Sequence, residues 1–516
     1  MRKLLLPLLV FALVLSSCED DLTSLNDDPK AASEVTADPL FSNSLVSLGT
    51  LKTSVDYNIN MFMFMSQYWA ATTYADESQY NLTGRSIPDS YWSEVYRDVL
   101  NNLKRASSLV EEEEFTPAEE KAAMQAQIEV INVMAYHQLV TIFGDIPYSD
   151  ALDADNVSPA YDNQAEIYSN LMSRLNSAIS GLETAVNAGT PGFGSSADVF
   201  YAGSMEAWLM FANSLKMRMA IQVAETPGAV NFDPQTAIEE ASPAAFQSND
   251  DNLALEFTNT PPNRNPVWED VINTGRNDFV AANTLIDMMN DLEDPRRQIQ
   301  FTQVDTNTVE GDPAEMAYVG GIYGESNDYI DYSHVKGPLI ESDFEGILLE
   351  YAEVEFIRAE ANVRGWLTGT AAAAQDHYEN AVTADMQYWS DASSDEEITQ
   401  SEIDDYLDPL SGPAAYPATG TEREQIEAIA QQKWLGQYMN DNLQAWTDWR
   451  RLDHPTWFVA DENPNADEED DIPTRFTYPV DEQNLNQSNW SDAASAIGGD
   501  EQTTLLFWDV EYASSR

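Results

Sequence analysis

The segment TPAEEKAAMQAQIEVINVMAYHQLVTIFG, residues 116–144, has the apolar spacing of a long α-helix. Its apolar residues recur every three or four positions and therefore share one helix face. They are Met124, Ile128, Ile131, Ala135, Leu139 and Ile142. Thr116 stands before Pro117 and three residues before Glu119, which predicts a capping box with proline in the first turn. Gly144 predicts the end of this helix.

Similar spacing recurs along the chain and predicts further helices. These cover residues 92–110, 162–187, 204–225, 348–366, 371–390 and 421–447. Long helices joined by short turns predict a predominantly all-α protein of stacked, tetratricopeptide-like helical hairpins. The stretches 228–265, 295–347 and 450–516 are rich in Asn, Asp, Gly, Pro and Tyr. We expect these long irregular insertions to form a ligand-binding face.

The composition limits the classes of function. The 516 residues include 88 acidic and 25 basic ones, for a formal net charge of −63. Phosphate backbones would repel such a chain, so the charge argues against nucleic-acid binding. Hydrophobic residues make up 43% of the chain, enough to form a large core. The single cysteine, Cys18, excludes an internal disulfide and a metal site built from several cysteines.

That cysteine closes an N-terminal processing signal. Arg2 and Lys3 precede an apolar run, residues 4–15, which is too short to span a bilayer. The run ends in Leu-Ser-Ser-Cys, which resembles a bacterial lipobox, although an ordinary secretory signal with a chance cysteine is the alternative. We therefore expect residues 1–17 to be a lipoprotein signal peptide that is removed, and 18–38 to be the lipid anchor and a polar tether. Residues 39–516 are expected to form one binding domain.

Several segments, in order along the chain, resemble the SusD/RagB family of nutrient-binding outer-membrane lipoproteins, and in detail its SusD-like branch. The segments are 135–148 (AYHQLVTIFGDIPY), 275–279 (GRNDF), 294–296 (DPR), 353–361 (EVEFIRAEA) with 364–365 (RG), 432–435 (QKWL), 445–446 (AW), 449–451 (WRR) and 475–479 (RFTYP). The acidic residues 19–21 behind Cys18 resemble a surface-export signal of such lipoproteins. We interpret most of the charged residues in these segments as structural, on helix faces where ion pairs form. They are Glu353, Glu355, Arg358, Glu360, Arg450 and Arg451.

The resemblance implies both a location and a function. It implies a lipid-anchored protein in the outer membrane, facing the extracellular side, that binds an oligosaccharide or in some cases a peptide. It also implies a partner, a SusC-like TonB-dependent transporter that receives the nutrient. The resemblance implies no enzymatic activity and no cofactor.

Sugar recognition requires flat apolar rings and hydrogen-bonding amides or charged groups. Three clusters outside the predicted helix cores combine these groups: residues 68–81, 263–268 and 318–332. The candidate ligand-binding residues are Trp268, Tyr74, Tyr80, Tyr323, Tyr329, Asn265, Arg264 and Trp69. For Trp69 a place in the core is the competing interpretation, and Trp268 could instead staple the helix that follows it. The net negative charge argues against anionic glycans, although basic patches around Arg264 and Arg276 could override the average. Neutral glycans and peptides both remain open.

The chain contains no HExxH, GxSxG or P-loop motif. Its acidic run 461–471 does not match an EF-hand loop, so no metal site is predicted there. Two alternatives to a binding protein stay open. One is a lipid-anchored glycoside hydrolase, because 88 acidic residues always offer carboxylate pairs. The other is a helical-repeat lipoprotein that acts only as an assembly scaffold.

Overall fold

A computed structural model describes residues 36–55, 61–307, 314–368, 371–456 and 472–510, and α-helices dominate them. The first group is α1 (Ala37–Thr53), α2 (Ile87–Glu94), α3 (Asn101–Glu112), α4 (Ala118–Phe143), α5 (Gln164–Ala188), α6 (Met205–Gln222), α7 (Pro234–Ala241), α8 (Pro266–Trp268) and α9 (Asn283–Asp291). The second is α10 (Arg297–Gln300), α11 (Tyr351–Val363), α12 (Ala371–Ala392), α13 (Gln400–Tyr406), α14 (Glu422–Gly436), α15 (Asn442–Leu452), α16 (Val480–Leu485) and α17 (Gln487–Ala496). The predicted all-α class is confirmed.

The long helices pack as hairpins, as the sequence predicted. Helix α4 lies against α5, α5 against α6, and α11 against both α12 and α14. One continuous hydrophobic core extends from Ala37 to Trp508 and holds the helices together. In the described ranges no helix is long and apolar enough to cross a bilayer.

The start of α4 differs from the prediction, and its end does not. Pro117 is the N-cap residue and no side chain caps the helix. Thr116 instead donates its hydroxyl hydrogen bond to the Glu113 carboxylate, at 2.6 Å, so the predicted capping box is wrong. The helix ends at Gly144 as predicted, where a φ of +87° favours glycine.

Two other helices differ in the structure from their predicted form. The helix predicted over 92–110 buries the expected face, but it is wound as a π-helix over Val95–Leu100 between α2 and α3. The helix predicted over 421–447 is broken into α14 and α15. Met439 has a φ of +63° at this break, and the Asp441 carboxylate accepts the hydrogen bond of the Gln444 N–H, at 3.1 Å, to cap the second helix. A buried polar residue therefore begins α15 where the apolar spacing alone predicted continuity.

Within the described ranges there are four small antiparallel sheets, each of two strands. The strands are β1 (Trp69–Ala71), β2 (Ile146–Pro147), β3 (Tyr161–Asp162), β4 (Leu253–Leu255), β5 (Phe279–Ala281), β6 (Val304–Asp305), β7 (Met316–Ala317) and β8 (Gly346–Leu349). They pair as β1 with β5, β2 with β3, β4 with β8, and β6 with β7. The strands are short because they connect loops and do not build a layer.

A chain of ten buried charges joins five helices, and we call it the ion chain. In order of contact its members are Lys52, Asp441, Arg218, Glu353, Lys433, Asp448, Arg451, Glu360, Arg364 and Glu225. No member's side chain is more than 8% exposed. Arg218 lies 3.0 Å from Asp441, and Lys433 lies 2.7 Å from Asp448. Five cations face five anions, so each charge that loses water gains an opposite charge.

The charged residues of the family segments were interpreted as structural, and their contacts agree with this. Arg450 differs from the others only in the kind of partner it has. Glu353, Glu360 and Arg451 belong to the ion chain, and Glu355 pairs with Arg358. Arg450 makes no ion pair within the described ranges. Its guanidinium lies 3.6 Å from the ring centre of Trp446 and donates to backbone carbonyls.

Glu353→Gln should lower the free energy of unfolding by about 3–5 kcal/mol, because it leaves Arg218 and Lys433 buried beside a neutral amide. Chemical denaturation measures this loss. Glu427→Gln is the matched control, since Glu427 pairs with Arg423 at 2.6 Å and both side chains are partly exposed, at 31% and 49%. The control should cost less than about 1 kcal/mol. Equal losses in the two variants would contradict a special role for the ion chain.

Asp145 connects the end of α4 to the start of α5. Its carboxylate accepts the hydrogen bond of the Gln164 N–H at 2.9 Å, and the residue is only 4% exposed. Burial raises the pKa of this carboxyl to about 6, although the hydrogen bond from Gln164 opposes the shift.

Because the pKa of Asp145 is higher in the folded state, the stability it contributes is present at low pH and is lost as the pH rises towards 6. Asp145→Asn retains an acceptor oxygen and does not titrate. The stability of this variant relative to the wild type should increase from pH 4 to pH 7, by at most about 2 kcal/mol. Thermal melts at several pH values test this, and a pH-independent difference would refute it.

Candidate functional site

The cluster 68–81 pairs with a strand, β5, that lies outside the three predicted clusters. Strand β1, in the cluster 68–81, pairs with β5, so that Trp69 lies opposite Ala281 and Ala71 opposite Phe279. The Thr72 N–H extends this pairing by donating to the Asp278 carbonyl at 2.9 Å. The segment around Tyr74 therefore lies beside the loop that carries Arg276 and Asp278.

The cluster 318–332 joins the same strands from the other side. The Asn327 side-chain amide donates to the Ala71 carbonyl at 3.0 Å, and the Gln79 amide donates to the Gly324 carbonyl at 2.8 Å. The Gly321 N–H donates to the Ala281 carbonyl, also at 2.8 Å. These hydrogen bonds bring segments more than 200 residues apart in sequence onto one surface.

The cluster 263–268 begins the element that leads to this surface. The Asn265 side chain caps α8 by accepting from the Val267 and Trp268 N–H groups, at 2.8 and 3.3 Å. A π-helical turn, Glu269–Asn273, follows Trp268 and leads into Arg276. Val271 of that turn lines a small cavity together with Arg276, Tyr329 and His334. Trp268 therefore directly precedes the turn that contributes Val271 to this cavity.

We call this surface the aromatic face, and define it by Tyr74, Trp268 and Tyr329 with the arginines Arg85, Arg264 and Arg276. Tyr74 is 61% exposed, and its φ of +51° is a conformation that bulky residues seldom adopt. Trp268 and Tyr329 are partly exposed. The Tyr329 ring stacks on His334 with the ring centres 4.4 Å apart. The aromatic face therefore presents three rings held by their neighbours.

Four of the eight candidate residues are buried and are not part of the aromatic face. Tyr80 is 3% exposed, Tyr323 0%, Trp69 2% and Asn265 4%. Tyr323 donates its hydroxyl hydrogen bond to the Phe64 carbonyl at 2.6 Å, and Trp69 donates to the Tyr438 hydroxyl at 2.8 Å. We therefore withdraw these four residues from ligand contact and interpret them as supports of the exposed rings.

Tyr80 shows how complete this burial is. Its hydroxyl accepts a hydrogen bond from the Gln67 amide at 3.1 Å, and its ring lies 6.3 Å from that of Tyr323. Burial raises the pKa of Tyr80 to about 12, although hydrogen bonds from Tyr323 and Gln67 oppose the shift. Tyr80 is six residues from the exposed Tyr74, so position in the same cluster did not predict exposure.

Arginines cover two of the exposed rings. The Arg85 guanidinium lies 5.7 Å from the centre of the Tyr74 ring, and Arg264 lies 4.7 Å from that of Trp268. Both distances are within the range of cation–π attraction. Arg264 was itself a candidate ligand-binding residue. Because its guanidinium lies over the Trp268 ring, it would affect a ligand by positioning that ring.

Each arginine of the aromatic face is also paired with a carboxylate. Arg85 donates to Glu77 at 2.7 Å, and Arg264 lies 3.8 Å from Glu269. Arg276 donates to Asp278 at 2.7 Å. That hydrogen bond, with the charge of Asp270, raises the pKa of Arg276. These ion pairs neutralise the positive charge near Arg264 and Arg276, which on the sequence alone could have overridden the average negative charge of the protein.

Sequence reasoning missed several residues of this surface. Arg85, His334 and the exposed Ile330 were not candidates; Ile330 is 83% exposed. Arg85 follows its cluster by four residues, so a wider window would have included it. Ile330 lies within the cluster 318–332, but only aromatic and hydrogen-bonding residues were considered as candidates there. Nothing in the local sequence indicated the stacking of His334 on Tyr329.

Several sequence predictions fall on residues that the structure does not describe. The signal peptide 1–17, Cys18, the acidic residues 19–21, the tether up to residue 35 and the acidic run 461–471 lie outside the described ranges. Among the described residues no group of three or more His, Cys, Asp and Glu side chains is placed to hold a metal ion.

A family model and several solved structures match this chain. A family model described as SusD-like, "Starch-binding associating with outer membrane", matches residues 29–479. A comparison with curated proteins gives no match.

Solved structures with similar folds include a protein named as chitin-binding, at 24% identity and a TM-score of 0.77, covering 92% of this chain and 100% of the other. A chitin-binding SusD homolog from Flavobacterium johnsoniae is 22% identical, with a TM-score of 0.74, covering 91% of this chain and 99% of the other. A SusD homolog from Bacteroides fragilis is 21% identical, with a TM-score of 0.75, covering 92% and 99%. At these identities the structures establish the fold. The family match covers most of the chain, and the chain therefore belongs to the SusD-like family of starch-binding proteins that associate with the outer membrane.

Proposed function

We propose that this protein captures a neutral oligosaccharide at the aromatic face and delivers it to a SusC-like TonB-dependent transporter. The observation that carries the proposal is the exposed ring of Tyr74, in a segment that hydrogen bonds join to β5 and to Asn327, two residues before Tyr329. Such rings offer flat apolar surface to the C–H faces of sugars and lose little conformational entropy on binding. Capture is non-covalent and breaks no bond in the ligand.

The charges of the aromatic face favour a neutral ligand. Arg85, Arg264 and Arg276 are each paired with a carboxylate, so an anionic glycan would have to compete with Glu77, Glu269 or Asp278. The protein's net charge of −63 adds a long-range repulsion. Uronic and sulfated polymers are thereby disfavoured, whereas sugar hydroxyls can donate to carboxylates at the rim.

Two of the structurally similar proteins are named as chitin-binding, so chito-oligosaccharides belong in the first binding panel. The family description names starch, which adds malto-oligosaccharides. Neutral peptides are the competing ligand class. Binding of peptides alone would replace the oligosaccharide in this proposal.

The proposal also includes a lipid anchor at Cys18. Cleavage before Cys18 and lipidation of this residue would hold the protein on the extracellular side of the outer membrane, because several acyl chains give stable anchoring. Residues 18–38 would then be anchor and tether, and 39–516 one binding domain. The first described helix, α1, begins at Ala37, close to the end of the proposed tether.

Replacement of Trp268 or Tyr74 by alanine should weaken oligosaccharide binding about tenfold, because each ring contributes about 1–2 kcal/mol of stacking and apolar burial. Isothermal titration with chito- and malto-oligosaccharides measures the change. The melting temperature should change little for Tyr74→Ala, since the ring is already 61% exposed.

Tyr323→Phe is the matched control. It removes the hydrogen bond to the Phe64 carbonyl from a fully buried ring, and should cost about 1 kcal/mol of stability while binding is retained. Unchanged affinity in both alanine variants would remove the aromatic face from the site. Reducing ends should not increase during incubation with the oligosaccharides; an increase would support the hydrolase alternative.

Replacement of Cys18 by serine should abolish incorporation of labelled fatty acid and release the protein from the outer-membrane fraction, because the thiol is the attachment point of the lipid. Metabolic labelling and fractionation of cells that express either form test this. Equal labelling of both forms would contradict the lipobox.

A further inference from the structure

A second cavity lies outside the aromatic face. It has a volume of about 390 Å³ and is lined by residues 293–295, 297 and 298, by Tyr318, and by residues of the segment 402–413. None of the six residues that define the aromatic face lines it. A volume in this range is typical of small-molecule sites, and it accommodates one or two sugar rings.

Tyr318 provides an aromatic wall that is fixed in advance. The Arg297 guanidinium lies 5.4 Å from the centre of its ring. Arg297 is itself held, because it donates to the Asp294 carbonyl and to the Asn290 side chain, both at 2.9 Å. The Asn290 amide also donates to the Tyr318 carbonyl at 3.0 Å. The ring, its cation and its backbone are therefore positioned by one hydrogen-bond network.

The floor of the cavity is a rigid polar cluster. The Tyr406 hydroxyl donates to the Asp294 carboxylate at 2.9 Å and accepts from the Gln432 amide at 2.9 Å. Asp294 is fully buried and pairs with Arg296, whose guanidinium also lies 2.6 Å from Asp385. Such a network would preserve the shape of the cavity when a ligand binds.

The rim supplies hydrogen-bonding groups of the kind that recognise hydroxyls. Glu402 and Asp405 are exposed carboxylates, and Gln298 also lines the cavity. One oxygen of Glu402 already accepts from Thr399 at the start of α13, which fixes the position of the carboxylate. Carboxylates accept strong, charge-assisted hydrogen bonds from hydroxyl groups. They would repel uronate or sulfate, so the chemistry favours a neutral ligand with many hydroxyls.

We infer that the cavity walled by Tyr318 is a second binding site for a neutral saccharide, separate from the aromatic face. The inference takes its ligand class from the proposed function. Both sites draw on the insertion 314–335, in which Tyr318 lies near one end and Tyr329 near the other. Two contact points on one protein would raise the avidity for a long glycan if one chain spans them.

Titration of the full-length protein with chitohexaose, maltohexaose and cellohexaose tests the inference. At least one of the three is expected to show two binding events per protein molecule. Tyr318→Ala should weaken one event about tenfold and leave the other unchanged, while Tyr74→Ala with Trp268→Ala should do the reverse. Tyr318→Phe retains the ring and should retain both events, which separates loss of stacking from loss of folding.

Tyr148→Ala is the matched control, because Tyr148 also has an arginine over its ring, Arg174 at 5.6 Å, but it lines neither site. This control should leave both events unchanged. A single event that is insensitive to Tyr318→Ala overturns the second site and leaves the proposed function intact. Binding that depends on Tyr318 alone overturns both the two-site arrangement and the role of the aromatic face. Absence of binding by all three probes at millimolar concentration overturns the inference.

Discussion

The ion chain is the constraint on which the rest of the structure depends. Ten charged side chains lose almost all of their water, and each is tolerable only because an opposite charge lies beside it. The pairs connect α1, α6, α11, α14 and α15, which are distant in sequence. Arg218, Lys433 and Arg451 each contact two carboxylates from different parts of the chain. A displacement that separated these groups would leave charge buried away from its partner, which is costly, so the ion chain favours the observed packing.

The position of the aromatic face depends on contacts made near the break between α14 and α15. Asp441, a member of the ion chain, begins α15 directly after the break from α14. Just before that break, the Trp434 indole donates to the Ser66 carbonyl at 3.1 Å, and the Tyr438 hydroxyl accepts from Trp69 at 2.8 Å. These bonds hold the start of β1, and β1 in turn holds β5 and the loop beside Tyr74. The buried charges and the exposed rings are therefore connected through a short series of direct contacts.

The surface, the interior and the aromatic face of this protein differ in how their charges are balanced. The surface carries most of a net charge of −63, which keeps the protein solvated and repels anions. In the interior the ion chain is balanced, because an unbalanced charge there would be too costly. At the aromatic face the arginines are paired with Glu77, Glu269 and Asp278, so they orient rings and do not attract anions. A neutral ligand is compatible with all three regions.

The sequence by itself determined the all-α class, the buried faces of the long helices and the family, because helical periodicity is a local property that survives in the fold. It also located the aromatic clusters 68–81 and 318–332, which the structure joins by hydrogen bonds. It did not determine the cap of α4 or the break before α15, where Glu113 and the partners of Asp441 decide the outcome. Only the tertiary structure decided that Tyr74 is exposed and Tyr80 is buried. The physical reason is that exposure depends on which distant segments pack against a ring, and Gln67 and Tyr323 cover Tyr80 while no segment encloses Tyr74.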